Sequence, residues 1–218
     1  MKARFITIEG GEGAGKSTAI SAIEKCLKSK GIQYILTREP GGTDLGSKIR
    51  SLLLDPSNGA VSAEAELLMM QAARSQHVSE VIKPNLKKNV WVICDRYVDS
   101  TYAYQGARGL SMEALDATTK IATGGLMPDV TFFFDVDTEI GMERARQRAA
   151  LDRIESEGMS FHETVSAIFR ERSEAFPARI QVVDANRELD KVSNDIYSRI
   201  EVFVEDCLND SEPTLEME

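Results

Sequence analysis

Residues Gly10-Gly11-Glu12-Gly13-Ala14-Gly15-Lys16-Ser17 place glycines, a lysine and a hydroxyl at the G-x-x-x-x-G-K-[ST] spacing of a phosphate-binding loop. Glycines let successive backbone N–H groups turn inward around a phosphate, and a helix starting there adds its partial positive charge. In such a loop Lys16 reaches the β- and γ-phosphates of a bound nucleotide, Thr18 follows at the helix start, and the Ser17 hydroxyl ligates Mg²⁺. The string alone arises by chance in roughly one chain of this length in a hundred, so the flanks decide. Arg4-Phe5-Ile6-Thr7-Ile8-Glu9 reads as a buried strand entering the loop. Ala19, Ile20, Ile23, Cys26 and Leu27 give the following segment an apolar helical face. A chance Gly-rich turn containing Lys-Ser does not explain both flanks.

Further groups with chemical potential sit after other apolar runs. Asp95-Arg96-Tyr97 follows Val90-Trp91-Val92-Ile93-Cys94. An acid at that strand end can hold Mg²⁺ or its waters, and Arg96 can clamp a phosphate. The plainer alternative is a structural Asp–Arg pair. Arg38 precedes the turn Glu39-Pro40-Gly41-Gly42-Thr43, whereas Arg50, by spacing alone, reads as a solvated helix position. Arg144, Arg146, Arg148 and Arg153 crowd one stretch, with Arg144 and Arg148 on one helix face. Glu155, Glu157 and Gly158 suggest a mobile loop there, a lid over about 144–158. Arginines on a closing lid neutralise charge on a moving phosphoryl group and exclude water; Arg146 alone reads as solvated. Leu67, Leu68, Met69, Met70, Ala72 and Ala73 read as core, with Arg74 one turn after Met70. His77 and His162 are isolated and read as ordinary; Asp135 and Asp137 receive no role.

These residues need a scaffold. Apolar runs at 4–9, 33–37, 90–95, 130–136 and 180–184 alternate with helical patterns at 17–30, 44–54, 62–83, 112–123, 138–150, 160–176 and 188–208. The alternation predicts an α/β fold with a five-stranded parallel sheet covered on both faces, and ligands at the carboxyl ends of its strands. No linker or repeat divides the chain, so residues 1–208 are expected to form one domain, with 209–218 a frayed acidic tail. The net charge of −9 argues against a general nucleic-acid binder, so an anionic substrate must be met by a local cation cluster. No apolar run approaches the roughly 18 residues of a membrane span, and no signal-peptide pattern is present. Three distant cysteines suit the reduced cytosol.

Together these motifs resemble the bacterial thymidylate kinases among the P-loop nucleoside monophosphate kinases. The resemblance covers about residues 4–208. It rests on the glycine loop with Ile8 to Thr18, Thr37-Arg38-Glu39-Pro40-Gly41-Gly42-Thr43, Lys48-Ile49-Arg50-Ser51-Leu52-Leu53-Leu54 and Ala72-Ala73-Arg74. Asp95-Arg96-Tyr97, Ser100-Thr101, Ala103-Tyr104-Gln105-Gly106, Pro128-Asp129 and Leu151-Asp152-Arg153-Ile154-Glu155 complete it. It implies transfer of the γ-phosphoryl group of ATP to dTMP with Mg²⁺ at Ser17 and Asp95, in a cytoplasmic homodimer. It further implies that Glu12 reaches the acceptor sugar, that Arg38, Arg50 and Arg96 grip the acceptor phosphate, and that Pro40 lines its site. Arg74, Ser100, Thr101 and Gln105 would read the thymine edge, and Tyr104 would sit against the sugar. The loop carries no arginine, which points to a lid-borne catalytic arginine, Arg153. Where the family has a base-stacking phenylalanine this chain has Met70, and a shorter segment at Gly106-Ala107-Arg108-Gly109 leaves Arg108 without a role.

Competing readings make different demands. A kinase acting on a hydroxyl acceptor would need an activating carboxylate rather than Arg38, Arg50, Arg74 and Arg96. A GTPase would need an Asn-Lys-x-Asp string, which is absent. An inactive relative would not need Lys16, Ser17, Asp95, Arg96 and Arg153 intact. A monophosphate kinase with altered base preference is the nearest alternative.

Overall fold

The chain was described from a computed structural model covering residues 2–148 and 150–209. Strands β1 (Phe5–Gly10), β2 (Tyr34–Arg38), β3 (Trp91–Asp95), β4 (Val130–Asp135) and β5 (Ile180–Asp184) form one parallel sheet, ordered β2-β3-β1-β4-β5. β1, β3 and β4 are central and almost wholly buried, which is why they read as unbroken apolar runs; β2 and β5 are edges and partly exposed.

Helices cover both faces: α1 (Lys16–Ser29), α2 (Asp44–Leu54), α3 (Ala63–His77), α4 (Lys83–Lys87), α5 (Val98–Ala107), α6 (Met112–Thr123), α7 (Thr138–Arg148), α8 (Met159–Ala175) and α9 (Leu189–Asn209). Strand alternation divides the core. Phe132 and Phe134 join Ile6, Ile8, Ile23, Leu27 and Ile196 on the side of α1 and α9. Phe133 turns the other way, to Tyr104, Val165 and Phe169 of α5 and α8. Burying each such side chain contributes about 1.5–3 kcal/mol.

The chain leaves β1 toward one edge of the sheet and leaves β3 toward the other, so a crevice opens between their carboxyl ends. The register sets Ile8 beside Asp95 and Asp95 beside Arg38. The glycine loop, Asp95-Arg96 and the Arg38 turn thus emerge at one edge.

Two expectations about elements change. The pattern over 62–83 is not one helix: α3 ends at His77, a wide π-type turn spans Val78–Ile82, and α4 follows. Pro84 has no N–H to give and its ring crowds the carbonyl four residues earlier, so the preceding turn must widen. Helix α5 was not anticipated. Every residue from Val98 to Gln105 is buried, polar and apolar alike, so no stripe marks it in the sequence. Of the expected tail, Asn209 ends α9, and 210–218 lie outside the described residues.

The start of α5 is held from the sheet. The fully buried Glu9 carboxylate accepts the Tyr97 and Ser100 N–H groups at 2.7 and 3.2 Å and the Ser100 hydroxyl as well. This places an acid from β1 at a helix N-terminus, where its charge is favoured. Burial, reinforced by Asp99, nevertheless pushes the Glu9 carboxyl from 4.5 up to about 7. The folded state therefore holds this proton more tightly than the unfolded chain does. The Glu9 contribution to stability is complete below about pH 4.5 and is lost as pH rises to about 7. Relative to Glu9→Gln, which cannot titrate, the wild-type melting temperature should fall by several degrees between about pH 5 and about pH 8. A pH-independent difference would show that Glu9 does not titrate in that window.

The loop is also braced by α7. Gly13 has φ +63°, and its backbone lies against that of Gly141 so closely that a Cβ on either would strike the other segment's carbonyl oxygen. In an exposed helix, Gly→Ala stabilises by up to about 1 kcal/mol. Here overpacking against rigid backbone costs about 1–3 kcal/mol and should win. Gly141→Ala is expected to lower the melting temperature and raise the KM for ATP; a rise in melting temperature would refute the contact.

Candidate active site

Three turns bring the charged groups together. In the glycine loop, Gly10, Gly13 and Gly15 all have φ between +63° and +146°, conformations that side chains resist. Lys16 bends back across the loop and donates to the Gly10 and Gly11 carbonyls at 3.1 and 2.8 Å. Burial, helped by the Arg96 charge and opposed by Glu12, lowers the Lys16 ammonium to about 8.

The second turn follows β3. Arg96 adopts φ +68°, a strained conformation for a side-chain-bearing residue, and its N–H is held by the Ile8 carbonyl at 2.9 Å. The twist aims its guanidinium back under the loop. It donates to the Gly10 carbonyl at 2.8 Å, Ser100 Oγ at 3.2 Å and Glu12 Oε1 at 2.8 Å, with the Tyr104 ring 5.1 Å away. The Tyr104 hydroxyl donates to the same Glu12 oxygen at 2.6 Å. Burial opposes charge on both Glu12 and Arg96. Arg96, Lys16 and the Tyr104 hydroxyl nevertheless bring the Glu12 carboxyl down to about 2, and Tyr104 and the nearby carboxylates keep Arg96 firmly charged.

The third turn follows β2, where Glu39-Pro40 is cis. Arg50, from α2, donates to the Pro40 carbonyl at 3.1 Å. Burial and the charges of Arg38 and Arg96 lower its pKa, so these arginines repel one another across ground that an anion would fill.

These groups surround a cavity of about 550 Å³. Its wall includes Glu12, Gly13, Ala14, Gly15, Lys16, Ser17 and Thr18 from the loop and α1, Pro40 and Arg50, Asp95 and Arg96, and Met70, Ser100, Tyr104 and Gln105. Arg144 and Arg148 of α7 also line it. Gly10 and Gly11 stand behind the wall and hold Lys16 and Arg96 through their carbonyls. Met70, which sequence alone placed in the core, is both largely buried and on this wall.

Four expected residues are elsewhere. Arg38 lines an adjoining depression that shares Asp95 with the main cavity. Arg74 is 1% exposed, and its donors are taken by Glu39 at 2.7 Å, Gln71 at 3.0 Å, Thr101 at 2.7 Å and the Tyr97 carbonyl at 2.9 Å. Thr101 is fully buried beneath it. A buried guanidinium must satisfy its N–H groups internally, and Glu39 draws this one inward. Arg153 does not line the cavity; it is bound to the Glu66 carboxylate and, at 2.7 Å, the Leu53 carbonyl.

Sequence reasoning missed the acids behind the wall. Glu39 joins Arg74 to His77 Nδ1 at 2.8 Å, and His77 Nε2 meets the Thr37 hydroxyl at 2.7 Å, so His77 is part of a buried network rather than isolated. Glu66, Glu9 and Asp99 are likewise buried. For Glu66 a signal existed: positions 66, 70 and 74 recur every four residues, on one face of α3.

The residues present fit Mg²⁺. Asp95 Oδ1 is buried without a hydrogen-bond partner, and Asp95 shares the cavity with Ser17. Among the described residues no group of three or more His, Cys, Asp or Glu could form a closed metal site. A carboxylate and a hydroxyl, with substrate phosphates and water, suit a hard cation that keeps much of its hydration.

A family model for thymidylate kinase matches residues 8–196. The thymidylate kinase of Teredinibacter turnerae (strain ATCC 39867 / T7901) is 49% identical over 205 residues, spanning 94% of this chain and 100% of its own. That of Pseudomonas putida (strain GB-1) is 45% identical, spanning 95% of this chain and 99% of its own. That of Pseudomonas syringae pv. syringae (strain B728a) is 50% identical over 190 residues, spanning 87% and 90%. The matched region carries the glycine loop, the Arg96 turn and the arginine-bearing segment after β4, and the chain belongs to the thymidylate kinase family.

Proposed function

We infer that the protein transfers the γ-phosphoryl group of ATP to dTMP, giving dTDP and ADP. The observation that carries this reading is one cavity shared by a phosphate-binding loop, an arginine cluster and an apolar-aromatic wall of Met70 and Tyr104. The loop suits the donor phosphates. Arg50 and Arg96, with Arg38 nearby, suit a second, acceptor phosphate, which a kinase acting on a hydroxyl would not need. A phosphate monoester is largely dianionic at neutral pH and needs no strong base. One of its oxygens attacks the γ-phosphorus as the bond to the ADP oxygen breaks.

The residues divide the work. Lys16 and the loop amides hold the donor, while Arg96 and Arg50 align the acceptor phosphate. Glu12 spends only Oε1 on Arg96 and Tyr104, which leaves Oε2 to the acceptor sugar hydroxyl. Ser17 and Asp95 would hold Mg²⁺, which neutralises phosphate charge when bound. Arg153 is assigned to the transition-state charge; to serve it must exchange Glu66 for phosphate. Ser100 and Gln105 face the base, with Arg74 and Thr101 supporting them from behind. Exposed Leu52, Leu68 and Ile121, on helices α2, α3 and α6, support a homodimer through that face. No helix among the described residues is long and apolar enough to cross a membrane. Buried cysteines agree with a cytoplasmic setting.

ADP release measured with ATP, Mg²⁺ and a panel of monophosphates tests the reading. Stimulation by dTMP is expected, and stimulation by none of dTMP, dUMP, dGMP, dCMP or AMP would end it. Lys16→Ala and Arg153→Ala should each lower kcat by about 10³-fold or more, with Arg146→Ala mild. Equal losses at Arg146 and Arg153 would overturn the lid assignment.

Met70 gives a second test. A base stacked on an aromatic ring is worth roughly 1–3 kcal/mol and a methionine contact roughly 0.3–1.5 kcal/mol. Met70→Phe should therefore lower the KM for dTMP and leave that for ATP nearly unchanged. A lowered melting temperature with an unchanged or raised KM for dTMP would assign Met70 to packing alone.

A further inference from the structure

We propose that Glu66 is a positioning residue for base selection: it fixes the Gln105 amide so that the carbonyl oxygen is left for the acceptor base. The inference rests on the reading of the cavity as a pyrimidine monophosphate site. Glu66 lies in α3, one turn before Met70, and is fully buried. Its Oε1 accepts Gln105 Nε2 at 2.9 Å, its Oε2 accepts Arg153, and Arg108 lies 3.4 Å from both oxygens. Burial disfavours its charge, but hydrogen bonds from Arg153 and Gln105, with Arg108 alongside, leave the carboxyl below its ordinary range. An ionised carboxylate only accepts. Gln105 can therefore turn only its nitrogen toward Glu66.

The consequence falls on the opposite atom. Gln105 is completely buried and lines the cavity beside Met70, Ser100 and Tyr104, and its Oε1 has no hydrogen-bond partner. An unpaired buried carbonyl is costly and is relieved by a ligand N–H. Beside it, Ser100 Oγ accepts from the Arg96 guanidinium at 3.2 Å, so it too serves as an acceptor. The buried Glu66 carboxylate thus sets the polarity of Gln105 on the wall. Uracil and thymine carry a proton on N3, whereas cytosine carries a lone pair there. A fixed acceptor selects the former.

The test compares dUMP with dCMP, whose bases differ only along the N3–C4 edge, using kcat/KM with saturating ATP. Wild type should prefer dUMP. In Glu66→Gln the new amide can donate to Gln105 Oε1 and let Gln105 turn over, so the dUMP:dCMP ratio should narrow by about tenfold or more, with the KM for ATP unchanged. Loss on both acceptors at a constant ratio would make Glu66 merely structural and overturn the proposal. Arg153→Ala should lower kcat on both acceptors at a constant ratio; if it narrows the ratio as Glu66→Gln does, the effect runs through the lid and the proposal fails. Should Glu66→Gln not fold, Gln105→Met must narrow the ratio instead, and an unchanged ratio there refutes it. Wild type inactive on dTMP as well would strike the phosphoryl-transfer reading instead.

Discussion

A cation buried beside a cavity is tolerated only if a counter-charge or a full set of acceptors goes in with it. This protein carries a net charge of −9 yet surrounds its cavity with lysine and arginine. The constraint is met pair by pair: Arg96 with Glu12, Arg74 with Glu39, and Arg153 with Glu66. Each pair ties separate elements. Glu12 joins the glycine loop to the turn after β3, Glu39 joins the turn after β2 to α3, and Glu66 joins α3 to the segment after α7. The acids neutralise the cations and also fix where they stand. Removing one acid would orphan a buried cation at a cost of several kcal/mol, far more than an exposed pair is worth.

The balance is left incomplete at one place. Among the described residues neither Arg38 nor Arg50 has an ion pair, and Arg50 feels both Arg38 and Arg96. Lys16 is similarly depressed, to about 8, by burial and Arg96. The unbalanced charge sits where substrate phosphates are proposed to bind. An anion arriving there relieves repulsion as well as gaining hydrogen bonds, and it favours the folded state through linkage. A local cation cluster is how a protein of negative net charge can receive an anion.

What could be read from sequence follows from which signals are local. The glycine loop, the Asp95-Arg96 turn and the buried strands announce themselves in consecutive residues, and the parallel sheet followed from their alternation with helices. Helix α5 did not, because burial on all sides erases the apolar stripe. The break after His77 hid because Pro84 acts on the turn before it. The family resemblance implied a base-edge role for Arg74, and only the fold shows Glu39 drawing it behind the wall. Distant acids such as Glu9, Glu39 and Glu66 have no local signature of their role. Their partners lie 35 to 91 residues away in sequence, and only the sheet order brings them together.

The same pairing separates fixed from movable charge. Arg96 is held by its strained backbone, the Gly10 carbonyl, Ser100 and Glu12, so it presents a preorganised charge to substrate and transition state alike. Such a group mainly strengthens binding. Arg153 is different, because its partners Glu66 and the Leu53 carbonyl both lie away from the cavity wall. A cation that reaches the phosphoryl group only after leaving Glu66 contributes more to the transition state than to the resting complex, which is what lowers a barrier. Glu66 keeps Arg108 and Gln105 when Arg153 departs, so the carboxylate is not left bare. One buried side chain therefore holds both the residue proposed to face the base and the residue proposed to serve the phosphoryl group. Because Gln105 and Arg153 hold different oxygens of Glu66, the arginine proposed to serve the phosphoryl group can leave without turning the Gln105 amide.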